Sequence, residues 1–305
     1  MIPVIRRNSG NEGYYEQFGR ELIPLIGAKH GMVYFYTVSH LNHVPMPREL
    51  ARTGKSKPSD LFSLDDQIEH KKEFCREYLP KQGKLFVIGH SIGSYIALKT
   101  LSFLVENGWN LHMAYPLFPA IERLSDTPNG ARLKPIAKFM NKHDKFTRFM
   151  FSWLKITPFW MKRCIVSCSL KPYGKCPECI SRAGAEVLAI NCMRNVAYIT
   201  CIEMEQIGEF DESLIAAKEH IRFYYGTGDY WILPEFAEQM MRRLPHQVIV
   251  DKHEQHHAFC LKDNVIMAKV IAGLIECETC PVDEGENPFV TRPAGPFSFA
   301  ADWFF

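Results

Sequence analysis

A serine flanked by glycines stands at Gly89-His90-Ser91-Ile92-Gly93. Glycines at these two spacings let a chain turn sharply without side chains striking the neighbouring strand or helix, and the strained turn projects the serine hydroxyl outward. Two glycines around a serine are common by chance, so the setting decides. Here the apolar run Leu85-Phe-Val-Ile88 directly precedes the motif, and Ile92 to Val105 reads as a helix. Strand, turn and helix in that order present a nucleophilic serine. The first turn of the helix offers N–H groups and the positive end of its dipole to a developing oxyanion, with the Ile92 N–H as the natural donor.

A serine hydroxyl needs a base, and the base needs a carboxylate to orient it; in this setting they follow the serine in the order acid, then histidine. Asp229 lies in Gly226-Thr-Gly-Asp229, just past the apolar run Ile221 to Tyr225. It qualifies best as the acid, the competing reading being an Asp that only caps its turn. The segment after Gln247-Val-Ile-Val250 holds His253, His256 and His257. Spacing favours His256 or His257 over His253 and does not separate those two. The pairs Cys176-Pro-Glu-Cys179 and Cys277-Glu-Thr-Cys280 have the internal spacing of zinc ligands but lie much farther apart than the 15–20 residues usual between such pairs. No metal and no cofactor is expected.

The elements that must position these groups alternate along the chain. Strands are expected at Met32–Val38, Lys84–Ile88, Leu111–Leu117, Ile221–Tyr225 and Gln247–Val250. Helical patterns run from Gln67 to Leu79, capped by Asp65 or Asp66, and from Ile92 to Val105. Strands separated by helices imply an α/β class, with a mostly parallel sheet covered on both faces and its site at the carboxyl ends of the strands. Between Phe118 and His220 the pattern turns basic, aromatic and helical, as an inserted helical cap would. The expected division is a core at 1–118, a cap at 119–220, the rest of the core at 221–276, and a proline-rich, poorly ordered tail at 277–305.

A chain of 305 residues with 47% hydrophobic residues is long and apolar enough for one large globular core. Its net charge of +2 is unevenly spread. Residues 134–182 hold eleven Lys or Arg against only Asp144 and Glu178, a local +9 that leaves −7 elsewhere. Within that stretch lie Phe146, Phe149, Phe151, Trp153, Phe159 and Trp160. Aromatic rings among lysines fit a membrane interface, and equally a cap that buries its rings on the sheet. The most apolar stretch, Phe149 to Leu170, is broken by Lys155, Pro158, Lys162 and Arg163, so it suits lying on an interface better than crossing one. The N-terminus has neither the charged region nor the long apolar core of a secretory signal, so the ten cysteines are expected to be mostly reduced. Nothing points to nucleic acid.

From about Ile5 to Leu274 the chain resembles the lipid droplet-associated hydrolase family, a branch of the α/β-hydrolases. The resemblance is carried by Gln67-Ile-Glu-His70, Val87-Ile-Gly-His-Ser-Ile-Gly-Ser-Tyr95, Leu117-Phe-Pro-Ala-Ile-Glu-Arg123 with Pro128-Asn-Gly130, Tyr224-Tyr-Gly-Thr-Gly-Asp229 with Trp231, and His257-Ala-Phe259. It implies an α/β-hydrolase fold with Ser91 as nucleophile, Asp229 as acid and His257 as base. It further implies a lipid ester hydrolase, with sterol esters as a proposed substrate, on lipid droplets and the cytosolic face of the endoplasmic reticulum. Members carry N-terminal strands that this chain is expected to lack, leaving a sheet edge unpaired. They then carry an Ile-Pro-Gly-Asn-Pro-Gly loop that supplies the second oxyanion donor. Here the loop reads Ile5-Arg-Arg-Asn-Ser-Gly10: Asn8 and Gly10 match, and Arg6, Arg7 and Ser9 replace proline, glycine and proline. Asn8 is the expected second donor. The competing expectation is a droplet-bound scaffold whose altered loop leaves it weakly active or inactive.

Overall fold

A computed structural model describes residues 10–46, 60–227, 229–251 and 253–279, and the backbone of 2–5. Six parallel strands form one sheet in the order β2-β1-β3-β4-β5-β6. They are β1 (Ile2–Ile5), β2 (Phe35–Val38), β3 (Leu85–His90), β4 (Leu111–Leu117), β5 (Phe223–Tyr225) and β6 (Val248–Val250). The expected strands are all present, most of them shortened at the amino end. Strand β1 is an addition. It sits between β2 and β3, with Pro3 opposite Tyr36 and Val4 opposite Ile88. Proline cannot donate to the ladder and argues against a central strand, which is why the sequence pattern does not reveal β1. Among the described strands, β2 forms one edge of the sheet.

The helices explain themselves locally. Helix α1 (Glu16–His30) joins β1 to β2 and packs on α10 (Asn264–Thr279). Helix α2 (Leu64–Tyr78) is capped by Ser63: Ser63 Oγ accepts from the Asp66 N–H at 3.2 Å, while Asp66 Oδ2 accepts from the Ser63 N–H at 2.7 Å. The cap is therefore Ser63, and Asp66 is its reciprocal partner three residues on, because the hydroxyl precedes the first turn whereas both acids lie within it. Helix α3 (Ile92–Glu106) is buried along Ile92, Ile96, Ala97, Leu101 and Leu104, packing on β3, β4 and α2.

Five helices and no strand lie between β4 and β5: α4 (Pro128–Lys142), α5 (Asp144–Met150), α6 (Phe159–Ser169), α7 (Glu178–Val187) and α8 (Ile190–Gln206). After β5 come α9 (Pro234–Arg243), β6 and α10. The last helix runs through Thr279, with Glu278 paired to Arg222 at 2.8 Å and its carbonyl 3.1 Å from His112 Nε2. Cys277 to Thr279 thus belong to a helix rather than to a tail, because contacts with β4 and the residue before β5 extend it; residues 280–305 lie outside the described residues. No helix among the described residues is long and apolar enough to cross a membrane.

Candidate active site

Ser91 occupies the turn between β3 and α3 with φ 55° and ψ −125°, a conformation that strains any residue with a Cβ. Backbone hydrogen bonds to the segment that follows β4 hold it there, beside the one its carbonyl accepts from the Ser94 N–H at 2.9 Å. Its N–H donates to the Leu117 carbonyl at 3.0 Å, and its carbonyl accepts from the Ala120 N–H at 3.2 Å. The segment Leu117 to Ile121 that follows β4 therefore buttresses the elbow. Gly89 permits the turn because a Cβ there would lie 2.6 Å from Ser94 Cα and 2.7 Å from the Gly93 oxygen.

His257 Nε2 stands 3.1 Å from Ser91 Oγ, and His257 Nδ1 meets Asp229 Oδ2 in a short hydrogen bond. All three residues are buried, with Ser91 8% exposed. The other Asp229 oxygen accepts the Trp231 N–H at 2.7 Å. The carboxylate thus does both things foreseen for it, capping its turn with one oxygen and facing the imidazole with the other. Because a carboxylate accepts only, His257 Nδ1 must carry the proton, which leaves Nε2 free to accept one from the serine. Chemically, the arrangement can activate a hydroxyl for attack on a carbonyl carbon.

The neighbouring histidines point elsewhere. His256 Nδ1 accepts from the Ala258 N–H at 3.1 Å, and its ring lies edge-on to Tyr173, in the helical segment between β4 and β5, 5.6 Å away. His253 is exposed.

Several further residues hold these groups in place, and of them Asp251 and Gln255 belong to no motif read in the sequence. Asp251, buried at the end of β6, accepts from Tyr224 Oη at 2.6 Å, the His253 N–H at 2.8 Å and the Gln255 N–H at 2.5 Å. Burial, and then the Asp251 carboxylate, push the Tyr224 phenol far above its ordinary value, so it remains a donor. Trp231 lies beside the His257 ring at 6.4 Å between centroids. Gly226 makes room for Phe118, whose ring would touch a Cβ there at 2.5 Å and which itself contacts His257 at 5.6 Å. Of the five non-glycine residues with positive φ among those described, Asn42, Ser91, Phe118 and Glu254 follow strands β2, β3, β4 and β6. Backbone strain is concentrated at the carboxyl edge of the sheet, where the three groups meet. The one signal in the sequence for Asp251 is its place directly after a strand.

Of the two oxyanion donors expected, Ile92 opens α3, so its N–H belongs to the helix end that lacks intrahelical acceptors. Asn8, with Arg6, Arg7 and Ser9, lies outside the described residues. Nine free cysteines occur among the described residues. Burial pushes the thiols of Cys75 and Cys192 up to about 12, and it also raises those of Cys176 and Cys179. No group of three or more potential metal ligands gathers among the described residues, and Cys280 lies outside them.

The parallel sheet, its flanking helices and the strand–turn–helix elbow define an α/β-hydrolase. The solved structure of a thermophilic esterase from Thermogutta terrifontis is similar with a TM-score of 0.57, covering 92% of this chain and 90% of that one at 14% identity. At that identity the likeness is one of fold. Residues 1–260 match the family model for lipid-droplet associated hydrolase. Human lipid droplet-associated hydrolase is 30% identical over 298 residues, covering 89% of this chain and 83% of the human protein. Its Drosophila melanogaster counterpart is 26% identical over 283 residues, covering 90% and 89% respectively. The chain belongs to the lipid droplet-associated hydrolase family, and so to the hydrolases.

Proposed function

We propose that this protein is a serine hydrolase that cleaves lipid esters at a lipid surface. The observation that carries the reading is the 3.1 Å approach of His257 Nε2 to Ser91 Oγ, with Asp229 on the far side of the imidazole. Ser91 Oγ attacks the ester carbonyl while His257 takes its proton. The Ile92 N–H, with Asn8 as second donor, steadies the oxyanion. The tetrahedral intermediate collapses as His257 returns the proton to the departing alcohol, leaving an acyl group on Ser91. Water, deprotonated by His257, then releases the acid and restores the serine. Asp229 holds the imidazole in the productive tautomer throughout.

The cap supports a lipid surface as the place of action. Its aromatic residues face outward: Phe149 is 73% exposed, Trp160 65%, and the adjacent Ile156 84%, with Phe139, Phe146, Trp153 and Phe159 also exposed. So many large apolar side chains left exposed between α4 and α6 do not serve the core, and exposed apolar residues gathered in one segment mark interaction sites. The local positive charge suits an anionic phospholipid surface, although Arg148, Arg163 and Arg182 are held in ion pairs with Asp144, Glu178 and Glu16. Tyr173, just beyond α6, packs on His256 next to the base, so the outward-facing helix leads directly to the site. Relatives named as lipid droplet-associated support the droplet as that surface. The same chemistry would serve on the cytosolic leaflet of the endoplasmic reticulum.

A fluorophosphonate probe tests the reading. Labelling of the folded protein that Ser91→Ala abolishes is the expected result. Turnover of a panel of sterol esters, triacylglycerols and phospholipids then identifies the ester. Folded protein that neither labels nor turns over any ester refutes the hydrolase mechanism and favours a droplet-bound scaffold.

A further inference from the structure

We propose that His90 and Tyr15 form a positioning relay that fixes the loop carrying His257 to the strand carrying Ser91. The inference rests on the reading of Ser91 as nucleophile and His257 as base. His90 is the last residue of β3, immediately before Ser91, and its side chain is fully buried. Its Nε2 lies 2.8 Å from the backbone oxygen of His257, and its Nδ1 lies 2.5 Å from Tyr15 Oη. A carbonyl oxygen accepts only, so His90 Nε2 carries the proton and donates it to His257. In the neutral ring the other nitrogen is then an acceptor, and the Tyr15 hydroxyl donates its hydrogen bond to it. The two partners therefore hold one neutral tautomer of His90.

The geometry ties three separate parts of the chain together. Tyr15, 2% exposed at the start of α1, sets the tautomer. His90 belongs to the strand that delivers the nucleophile. The accepting carbonyl belongs to the base itself, one backbone atom from its Cα. The His90 ring also lies 5.3 Å from the His257 ring and 4.9 Å from Phe259, so ring packing limits the same movement.

The loop needs such a hold. It leaves β6 at Asp251, whose carboxylate gathers the His253 and Gln255 N–H groups, and passes through Glu254 at φ 51°. Asp251 secures its beginning, and His90 secures its end at the residue that must stay 3.1 Å from Ser91 Oγ. A misplacement of about 1 Å in such a pair costs on the order of a hundredfold in rate.

The relay predicts a loss in kcat rather than in KM, because it acts on the nucleophile–base distance and touches no substrate. His90→Leu, which fills the space without donating, should lower kcat about thirtyfold to a hundredfold with KM within about twofold. His90→Gln, whose amide nitrogen reaches the position of Nε2, should recover most of that loss. Tyr15→Phe should lower kcat about tenfold by releasing the tautomer, and it carries the test if His90→Leu does not fold. In 15N-histidine-labelled protein, the downfield signal of the His257 Nδ1 proton should shift or broaden in His90→Leu and return in His90→Gln. The relay is overturned if folded His90→Leu or Tyr15→Phe keeps wild-type kcat, or if His90→Gln is as impaired as His90→Leu. These results leave the serine mechanism standing. Wild-type protein that the fluorophosphonate does not label overturns both.

Discussion

Replacing Gly89 by alanine adds one methyl group at the tightest point of the elbow. The new Cβ would lie 2.6 Å from Ser94 Cα, 2.7 Å from the Gly93 oxygen and 2.9 Å from Ser94 N. Ordinary contact begins near 3.4 Å, so the methyl is about 0.8 Å too close to the nearest of them. All three are backbone atoms, and no side chain can swing aside. Relief requires β3 and α3 to separate, and Ser91 is the residue between them. Overpacking of this kind costs about 1–3 kcal/mol of stability. A shift approaching 1 Å between Ser91 Oγ and His257 Nε2 should cost on the order of a hundredfold in reaction rate. Gly27 provides the matched control. It lies inside α1 with nothing within 4 Å of its would-be Cβ, so the same substitution should stabilise the protein by about 0.5–1 kcal/mol and leave the rate unchanged. Urea unfolding midpoints and fluorophosphonate labelling rates measure both effects. Gly89→Ala with wild-type stability and a wild-type labelling rate would refute the account of the elbow.

Ser91→Ala and His257→Ala should each lower ester turnover at least about a thousandfold, and Asp229→Asn about ten-thousandfold by favouring the wrong imidazole tautomer; turnover by Asp229→Asn near the wild-type rate would contradict the assigned acid. Phe149→Ser and Trp160→Ser should each weaken partitioning onto phospholipid-coated droplets about tenfold or more, since burying a large apolar side chain contributes roughly 1.5–3 kcal/mol. Flotation assays showing undiminished binding of the double variant would remove the cap as the docking face. His70 should make stability sensitive to acid. Burial, then Lys71, pull its imidazole down from 6.5 to about 4, and Lys71 Nζ donates to its Nδ1 at 3.1 Å. The unfolded chain therefore binds a proton that the folded chain refuses between about pH 6.5 and pH 4. This contribution is complete above the upper value and declines as pH falls, by at most about 1.4 kcal/mol per pH unit. His70→Gln should flatten the pH dependence of the urea midpoint in that window, and an unchanged slope would count against a half-buried neutral ring.

The elbow could be read without coordinates because its determinants are consecutive: an apolar strand, a glycine that admits the turn, and an apolar helix. Strands β3 to β6 announce themselves as short apolar runs for the same reason. β1 does not, because Pro3 is a poor strand residue and what makes it a strand is pairing with Tyr36 and Ile88's neighbours, remote in the chain. The cap of α2 illustrates a smaller limit. Asp65 or Asp66 is the expected cap, and Ser63 takes that place because the helix begins at Leu64, one turn earlier than the apolar pattern indicates.

What the sequence by itself determined was the class of fold and a short set of candidate residues for the chemistry, because strand and helix periods and the glycine-bracketed serine are local properties. Spacing leaves His256 and His257 open and only the family resemblance names His257; the tertiary structure supplies the physical reason, since neighbouring side chains diverge and the packing of Tyr173 and Phe118 turns one toward Ser91 and the other away. It decided that most of the aromatic rings between α4 and α6 turn outward, a matter of which helix faces find partners. It also decided the supporting roles of Asp251, Tyr15 and His90. Their hydrogen bonds join residues 27, 75 and 167 positions apart, and only the assembled sheet brings such residues within reach of one another.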